Sequence, residues 1–250
     1  MVAVMGVTQL HNVVYIICTG SSAIMTFNAT THERLADIVV KDLSSPGDIV
    51  ACGRMSQLYV ADSGKCVWRV WADGTGIQRW DKVSPASLSV TSTRLLVTSG
   101  DTKKLIQLDS VGNELRRVQL PDNMEPWHAV ESPTTTFIVS HSNTQLSQYQ
   151  ISEVNKDGQV LRQFTSSRLS SLGFTPHIAI DSHGNVFVAH RVNRCILLLD
   201  AQLKLRRVII DEHQLNYINK QPWRLCYREQ TGQLLVALFR SVAVFDVLRR

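Results

Sequence analysis

A pattern of about 40 residues recurs six times along this chain, and it limits the possible folds more than any other feature. The clearest copy starts at Pro176 and has apolar runs at 178–180, 186–189 and 195–199, followed by a basic run at 204–207. Repeats of this length with four short strands are typical of β-propeller blades. The sequence therefore predicts an all-β fold, a six-bladed β-propeller whose blades have four antiparallel strands.

Prolines mark where most of the repeats begin. They stand at positions 46, 85, 126, 176 and 222. Proline is tolerated at the first residue of a strand, where its missing N–H costs no ladder hydrogen bond. We therefore predict a single domain over 1–250, with blades at approximately 1–43, 44–82, 83–121, 122–165, 174–212 and 220–250.

The two ends of the chain leave the last blade short of one strand. The third strand of the sixth repeat ends close to Arg250, and the residues ahead of the second strand of the first repeat are enough for one inner strand at about 4–10. We expect either that the last blade is incomplete, with three strands, or that the chain is a fragment of something longer.

The repeats resemble those of the NHL family. The matching residues are Pro176, 178–181, 184–189, Asn193, Arg194, Ile196 and Asp200 in the fifth repeat, and 58–62 in the second. Family blades carry Asp after a Val-Ala pair, as at Asp62, whereas the later repeats have His141, His190 and Leu238 there. The resemblance implies an interaction platform of the kind that binds RNA or protein in TRIM-type ubiquitin ligases. NHL repeats also occur in a lyase that makes amidated peptides.

Composition and cysteine usage limit the class of protein and its cellular location. Hydrophobic residues make up 44% of the chain and charged residues 19%, which is typical of a globular domain rather than a disordered one. No apolar run reaches the ~18 residues of a transmembrane helix, so we expect no membrane association. The five cysteines are irregularly spaced and contain no C-x-x-C pair, which favours reduced thiols and a cytoplasmic location.

Basic and aromatic residues collect where the loops of one propeller face are expected. Trp127 and Trp223 each follow a proline that opens a repeat, and indoles beside cations suit peptide or nucleic-acid contacts. The alternatives are that the tryptophans pack between blades and that the basic residues protect strand edges. The candidate binding residues are Trp127, His128, Trp223, Arg224, His177, His190, Arg191, Arg194, Lys103, Lys104, His141 and Arg240.

Metal and catalytic chemistry receive less support. His128, His141, His177 and His190 come from two neighbouring repeats, but no H-x-H or H-E-x-x-H spacing is present. Asp48 and Glu131 stand isolated among apolar channel positions, whereas hard cations need several oxygen ligands. We therefore predict no catalytic residues, no metal and no cofactor.

The sequence favours a non-catalytic scaffold that binds a protein or peptide on one propeller face. By resemblance, it would serve as the substrate-recognition part of a ubiquitin-ligase-like protein. One alternative is an RNA-binding propeller, because the net charge is +5 and the expected face is basic. A second alternative is a metal-dependent propeller hydrolase or lyase. The Ser-rich linker at 165–174 and the segment 211–221, a short helix or a long loop, depart from the repeat.

Overall fold

The strands form six antiparallel sheets in the computed structural model, which describes residues 3–91, 93–165, 176–216 and 221–247. Blade 1 comprises β1 (Val4–Leu10), β2 (Val13–Cys18), β3 (Ala23–Asn28) and β4 (Ile38–Val39); blade 2 comprises β5 (Pro46–Cys52), β6 (Gln57–Asp62), β7 (Cys66–Trp71) and β8 (Ile77–Trp80); blade 3 comprises β9 (Ser87–Val90), β10 (Leu95–Ser99), β11 (Lys104–Leu108) and β12 (Glu114–Gln119).

The second half of the chain continues the same arrangement. Blade 4 comprises β13 (Met124–Glu131), β14 (Phe137–Asn143), β15 (Gln148–Val154) and β16 (Val160–Phe164); blade 5 comprises β17 (His177–Ile180), β18 (Val186–His190), β19 (Cys195–Leu199) and β20 (Leu205–Ile210); blade 6 comprises β21 (Pro222–Arg228), β22 (Gln233–Leu238) and β23 (Ser241–Asp246). The fold is the predicted six-bladed β-propeller, and its last blade has three strands within the described ranges.

Burial along each blade explains the hydrophobic pattern of the repeat. Every residue of β6 and of β18 is buried, because these second strands have a neighbouring blade on both faces. The outermost strands face solvent instead, and all but one residue of β12 is exposed. The basic residues of the fourth strands, Arg116 and Arg117 among them, therefore lie at the outer rim, where charge protects a strand edge.

The ring closes by packing between blades 1 and 6. Val7 of β1 belongs to one buried apolar cluster with Leu235 and Ala237 of β22. The Val4 N–H also donates a 3.0 Å hydrogen bond to the carbonyl oxygen of Phe239, just before β23. Blades 1 and 6 are separate sheets, so closure depends on buried apolar surface rather than on a shared sheet.

Two segments outside the sheets were singled out by the sequence. A short helix, α1 (Glu212–Asn216), occupies part of the segment 211–221. The Ser-rich linker at 165–174 lies outside the described residues apart from Thr165. Within the described ranges, no helix is both long enough and apolar enough to cross a membrane.

Candidate binding site at the mouth of the central channel

One residue from each inner strand occupies an equivalent place around the central channel, and we call these six residues the channel ring. Each pairs with the same position of the second strand in its own blade. The ring consists of Gly6, Asp48, Ser87, His128, His177 and Arg224. Blade 1 contributes no side chain, because its ring residue is glycine. Only glycine fits at this position, since a Cβ on Gly6 would lie 2.9 Å from Ile49 Cγ2.

Blade 5 enters the ring one residue earlier than its neighbours. In blades 2, 4 and 6 a β-bulge places one residue between the starting proline and the ring, and Trp127 and Trp223 occupy two of these bulges. Blade 5 lacks that residue, so His177 directly follows Pro176 and pairs with Ala189. His177 therefore lies level with His128, not level with the tryptophans as its position after a proline suggested.

His128 has one nitrogen in use and one without a partner. Its Nε2 lies 3.1 Å from the carbonyl oxygen of Leu88, and since a carbonyl only accepts, Nε2 carries the proton. Nδ1 is then a lone-pair acceptor. It is buried and makes no hydrogen bond to any described residue.

His177 has the same tautomer, but its other nitrogen makes the hydrogen bond. Its Nδ1 accepts a 3.2 Å hydrogen bond from the Leu225 N–H, so in the neutral ring Nε2 carries the proton. Nε2 is buried 3.9 Å from Asp48 Oδ2, beyond hydrogen-bond distance, and has no hydrogen-bond partner in the described chain. The two histidines thus leave one unused acceptor, on His128, and one unused donor, on His177.

The two imidazoles stack directly on each other. Their ring centroids are 3.8 Å apart and the planes differ by 29°. Burial lowers the pKa of His128 well below its usual value, and the neighbouring His177 lowers it further. Burial also lowers the pKa of His177, with a smaller contribution from Arg224. Both rings are therefore neutral at pH 7.

Asp48 and Arg224 link blades 2 and 6 across blade 1. The Arg224 Nε lies 3.7 Å from Asp48 Oδ1, and its Nη2 donates a 3.1 Å hydrogen bond to the Gly47 carbonyl oxygen. Asp48 also accepts hydrogen bonds from the N–H groups of Ile49 and Leu88. Burial lowers the pKa of Arg224, while Asp48 opposes that shift. The one formal negative charge of the ring is thus balanced by its one formal positive charge.

The interpretation of Asp48 and Glu131 as isolated acids was wrong. Asp48 lies in the channel ring, between Arg224 and His177. Glu131 pairs with Arg94 at 3.5 Å and accepts a 2.8 Å hydrogen bond from Gln107 Nε2. Sequence reasoning missed these partners because each of them is distant in the sequence.

A cavity of about 600 Å³ lies above the ring, and His128, His177 and Arg224 contribute to its lining. Trp127 and Trp223 line its sides, with Trp127 still 42% exposed and Trp223 half-buried. The indoles therefore contact the cavity and are not wedges hidden between blades. The volume is in the range of ordinary ligand pockets.

Charges divide unevenly around this cavity. Blades 5 and 6 supply Arg191 and Arg224, and the Arg191 guanidinium stacks 4.3 Å from the centroid of Trp223. Arg191 Nε also donates a 2.7 Å hydrogen bond to Gln221 Oε1, and burial lowers the pKa of this arginine.

Blades 3 and 4 supply the acidic residues of the cavity, Asp101 and Glu125. They also supply Lys103, whose ammonium donates to the Asp122 carbonyl. The cavity thus has a cationic side and a largely acidic side.

His141 and His190, by contrast, are hydrogen-bonded within their own blades. His141 Nε2 lies 2.8 Å from Ser152 Oγ, and His190 Nδ1 accepts a 3.0 Å hydrogen bond from the Asn193 N–H. Burial lowers the pKa of both imidazoles to about 4. Neither residue lines the cavity, so the structure brings only His128 and His177 together among the four candidate histidines.

Three further candidate residues lie away from the cavity lining. Lys104 begins β11, and Arg194 occupies the turn before β19 with a left-handed φ of 48°. Arg240 lines a separate groove between blades 1 and 6, with its guanidinium 5.8 Å from the Phe239 ring centroid. Seven of the twelve predicted binding residues line the central cavity: Lys103, Trp127, His128, His177, Arg191, Trp223 and Arg224.

The only group of potential metal ligands in the described part of the chain is Asp48, His128 and His177, whose ligand atoms lie within 4.8 Å of one another. The hydrogen bonds do not suit a cation. His177 uses its lone-pair nitrogen for the Leu225 N–H, and Arg224 already lies beside Asp48. Two ligand atoms remain, whereas zinc needs at least three from the protein.

Comparison with known proteins identifies the fold. No protein-family model and no curated protein matches the chain. Among solved structures, hydrazine synthase of Kuenenia stuttgartiensis matches with a TM-score of 0.69 at 12% identity, over 99% of this chain and 84% of that one. A structure of a nidogen–laminin complex gives 0.65 at 15% identity, over 84% and 81%. A streptogramin B lyase gives 0.65 at 9% identity, over 96% and 92%. At these identities the likeness concerns the fold alone, and the NHL resemblance stays a prediction.

Proposed function

We propose that this protein is an interaction domain that binds a segment of another protein, or a peptide, in the cavity at the mouth of its central channel. The observation that carries the proposal is the lining of that cavity. Trp127 is partly exposed on blade 4, and Arg191 of blade 5 is stacked on Trp223 of blade 6. Tryptophan, tyrosine and arginine are enriched among the few residues that provide most of the binding energy in protein interfaces.

The scaffold suits this role because it is already ordered. The ring is tied together by hydrogen bonds between blades, such as those from Leu88 to Asp48 and from Leu225 to His177. A preformed cavity loses little conformational entropy when a ligand enters, so more of the contact energy appears as affinity.

Charge favours a peptide over RNA. A nucleic-acid face needs cations that can follow a row of phosphates. Here Arg224 is paired with Asp48, Lys103 is bonded to a backbone carbonyl, and Asp101 and Glu125 line the same cavity. The acids would repel phosphates, whereas a peptide with both polar and apolar side chains can satisfy the two sides of the cavity.

Proteins of similar fold and the state of the cysteines support the proposed kind of partner and the proposed cellular compartment. The match to a nidogen–laminin complex offers an example of this fold in a protein–protein assembly. None of the five cysteines forms a disulfide, and four are buried, which supports a reducing compartment such as the cytoplasm. Service as the recognition part of a ubiquitin ligase would follow from the NHL resemblance and is the finer form of this proposal.

Selection from a random peptide library tests the proposal, using the wild-type protein and a Trp127→Ala variant. Leu115→Ala is the matched control, since Leu115 is 54% exposed on the outer strand β12, away from the cavity. We expect selected peptides to lose about 30-fold in affinity with Trp127→Ala, as for an interface hot spot, and to bind Leu115→Ala normally.

Salt separates the remaining functions in the same assay. Peptide binding anchored by an indole should weaken little between 50 and 200 mM salt, whereas binding through six or more phosphates should weaken by about 10³-fold or more. Peptides that bind the Trp127→Ala variant as tightly as wild type would overturn the proposal. Tight, salt-sensitive binding of a random RNA pool would favour the nucleic-acid alternative, and stoichiometric metal in elemental analysis would favour the hydrolase or lyase alternative.

A further inference from the structure

His128 and His177 line the floor of the cavity, and each has one buried nitrogen atom without a hydrogen-bond partner among the described residues. His128 is 4% exposed and His177 is 6% exposed, yet Nδ1 of the first and Nε2 of the second make no hydrogen bond within the described ranges. Such a buried polar atom costs about 1–3 kcal/mol unless something else satisfies it. Since each ring is fixed by a bond from its other nitrogen to a backbone group, neither can turn away.

The two nitrogen atoms need different kinds of hydrogen-bond partner. His128 Nδ1 needs a hydrogen-bond donor, because the ring proton is on Nε2, which donates it to the Leu88 carbonyl. His177 Nε2 needs an acceptor, because Nδ1 holds the Leu225 N–H. Arg224 Nε adds a second donor beside them, since it lies 3.7 Å from Asp48 and makes no hydrogen bond to a described residue. A group that fits this floor must both donate and accept.

Charged groups fit the floor poorly. A carboxylate would accept from His177 and Arg224, but it would face the lone pair of His128 and add a second negative charge close to Asp48. An ammonium group would donate to His128 but would meet the N–H of His177 and the guanidinium of Arg224. The Asp48–Arg224 pair has already balanced the charge of the ring, so an uncharged ligand group is favoured.

We infer that the floor of the cavity recognises a neutral amide, whose N–H donates to His128 Nδ1 and whose carbonyl accepts from His177 Nε2 and Arg224. Either a backbone peptide group or the carboxamide of an Asn or Gln side chain would provide this pair. This inference rests on the proposed function, because it specifies which part of a bound segment reaches the ring.

Three small probes of nearly equal shape test the inference on the 250-residue protein. Acetamide has the carbonyl and the N–H, acetone has only the carbonyl, and acetate is charged. Imidazole ¹⁵N and ¹H resonances are followed at pH 7, where the ring histidines are neutral. We expect acetamide to shift the His128 and His177 signals saturably while His141 and His190 remain unchanged. Acetone should bind about 2- to 12-fold more weakly, as expected for one lost hydrogen bond, and acetate weaker still.

A pair of variants assigns the preference to one atom. His128→Gln keeps a donor toward the Leu88 carbonyl and removes the Nδ1 lone pair, so the preference for acetamide over acetone should disappear. His141→Gln is the control, because His141 is equally buried but lies outside the cavity lining. Its preference for acetamide should equal that of wild type.

Other outcomes overturn the inference. Tighter binding of acetate than of acetamide would make the floor an anion site. No response of His128 and His177 to acetamide would leave the floor to water alone. If selected peptides depend on Trp127 while acetamide has no effect, the amide inference fails and the proposed function stands. If acetamide binds but no peptide is selected, the floor is as inferred and the proposed function fails.

Discussion

Blades 4 and 5 each contain two buried histidines, and the contrast between the inner and outer member of each pair separates binding from structure. His141 and His190 lie at or near the ends of the second strands and have hydrogen-bond partners inside their own blades. His128 and His177 lie on the inner strands, make one bond each to a neighbouring blade, and line the cavity, and each leaves one buried nitrogen without a hydrogen bond. Burial alone therefore does not indicate a site, whereas burial with an unmet hydrogen bond does.

Low pH should destabilise the folded protein through both pairs of histidines, and this is the largest effect we expect. Burial holds the pKa of all four imidazoles below the ordinary value, to about 4 for His141 and His190. The folded state therefore binds fewer protons than the unfolded state once the pH falls below about 6.5. Each histidine then costs ~1.4 kcal/mol of stability per pH unit, so the free energy of unfolding should fall steeply between pH 6.5 and pH 5. Urea unfolding at pH 7, 6 and 5 measures the slope.

One control checks that histidines cause this acid sensitivity. His141→Gln should reduce the slope of unfolding free energy against pH by ~1.4 kcal/mol per unit, whatever it does to stability at pH 7. A stability that stays constant from pH 7 to pH 5 would show that the buried histidines bind protons in the folded state, contrary to the pKa directions given by their burial.

Replacing the ring carboxylate should be the next largest change. Asp48→Asn retains an acceptor for the Leu88 N–H but leaves Arg224 without its counter-charge, at a cost of about 3 kcal/mol. Since Asp48 raises the pKa of His128, that pKa should fall further in the variant, while the pKa of His141 stays unchanged. Urea unfolding and an NMR titration provide the two readouts.

An exposed acid serves as the comparison for that variant. Asp246→Asn, at the edge strand β23, should change stability by less than about 0.5 kcal/mol. Equal losses from the two replacements would show that the ring pair contributes no more than an ordinary surface carboxylate.

Replacement by phenylalanine should change the stability of the protein by different amounts for the two classes of histidine. His141→Phe leaves the Ser152 hydroxyl and the Ser142 carbonyl without their partner, at a cost of about 1–3 kcal/mol. His128→Phe deprives only the Leu88 carbonyl and also removes an unsatisfied nitrogen, so it should be less destabilising by about 1 kcal/mol. Chemical denaturation of both variants measures the difference, and the reverse order would contradict the assignment of His128 to binding.

The smallest predicted effect concerns the cationic side of the cavity. Arg191→Lys keeps the charge but loses the planar stack on Trp223, which is worth about 0.5–1 kcal/mol. Affinity for a selected peptide should fall by about two- to fivefold, as measured by calorimetry. Arg116→Lys on the outer strand β12 is the control and should have no effect on affinity. Unchanged affinity in Arg191→Lys would mean that the stack positions Trp223 without contacting the ligand.

The repeat pattern predicted much of the site as well as the fold. Because every blade repeats one geometry, residues just after the prolines were expected at one mouth, and Trp127, His128, Trp223 and Arg224 do line it. The same reasoning placed Arg240 there, although it lies in a groove at blade closure. Blade 6 has no fourth strand among the described residues, so its surroundings differ from those of a complete blade.

The sequence by itself determined the number of blades, the inner position of each strand and the residue types that reach the channel. These follow from local alternation and from repetition along the chain. Only the tertiary structure decided which of those residues meet. Asp48 lies 129 positions from His177 and more than 170 from Arg224, and these three residues come together because the ring closes. The choice of protonated nitrogen in each histidine depends on contacts between blades, which no single repeat encodes.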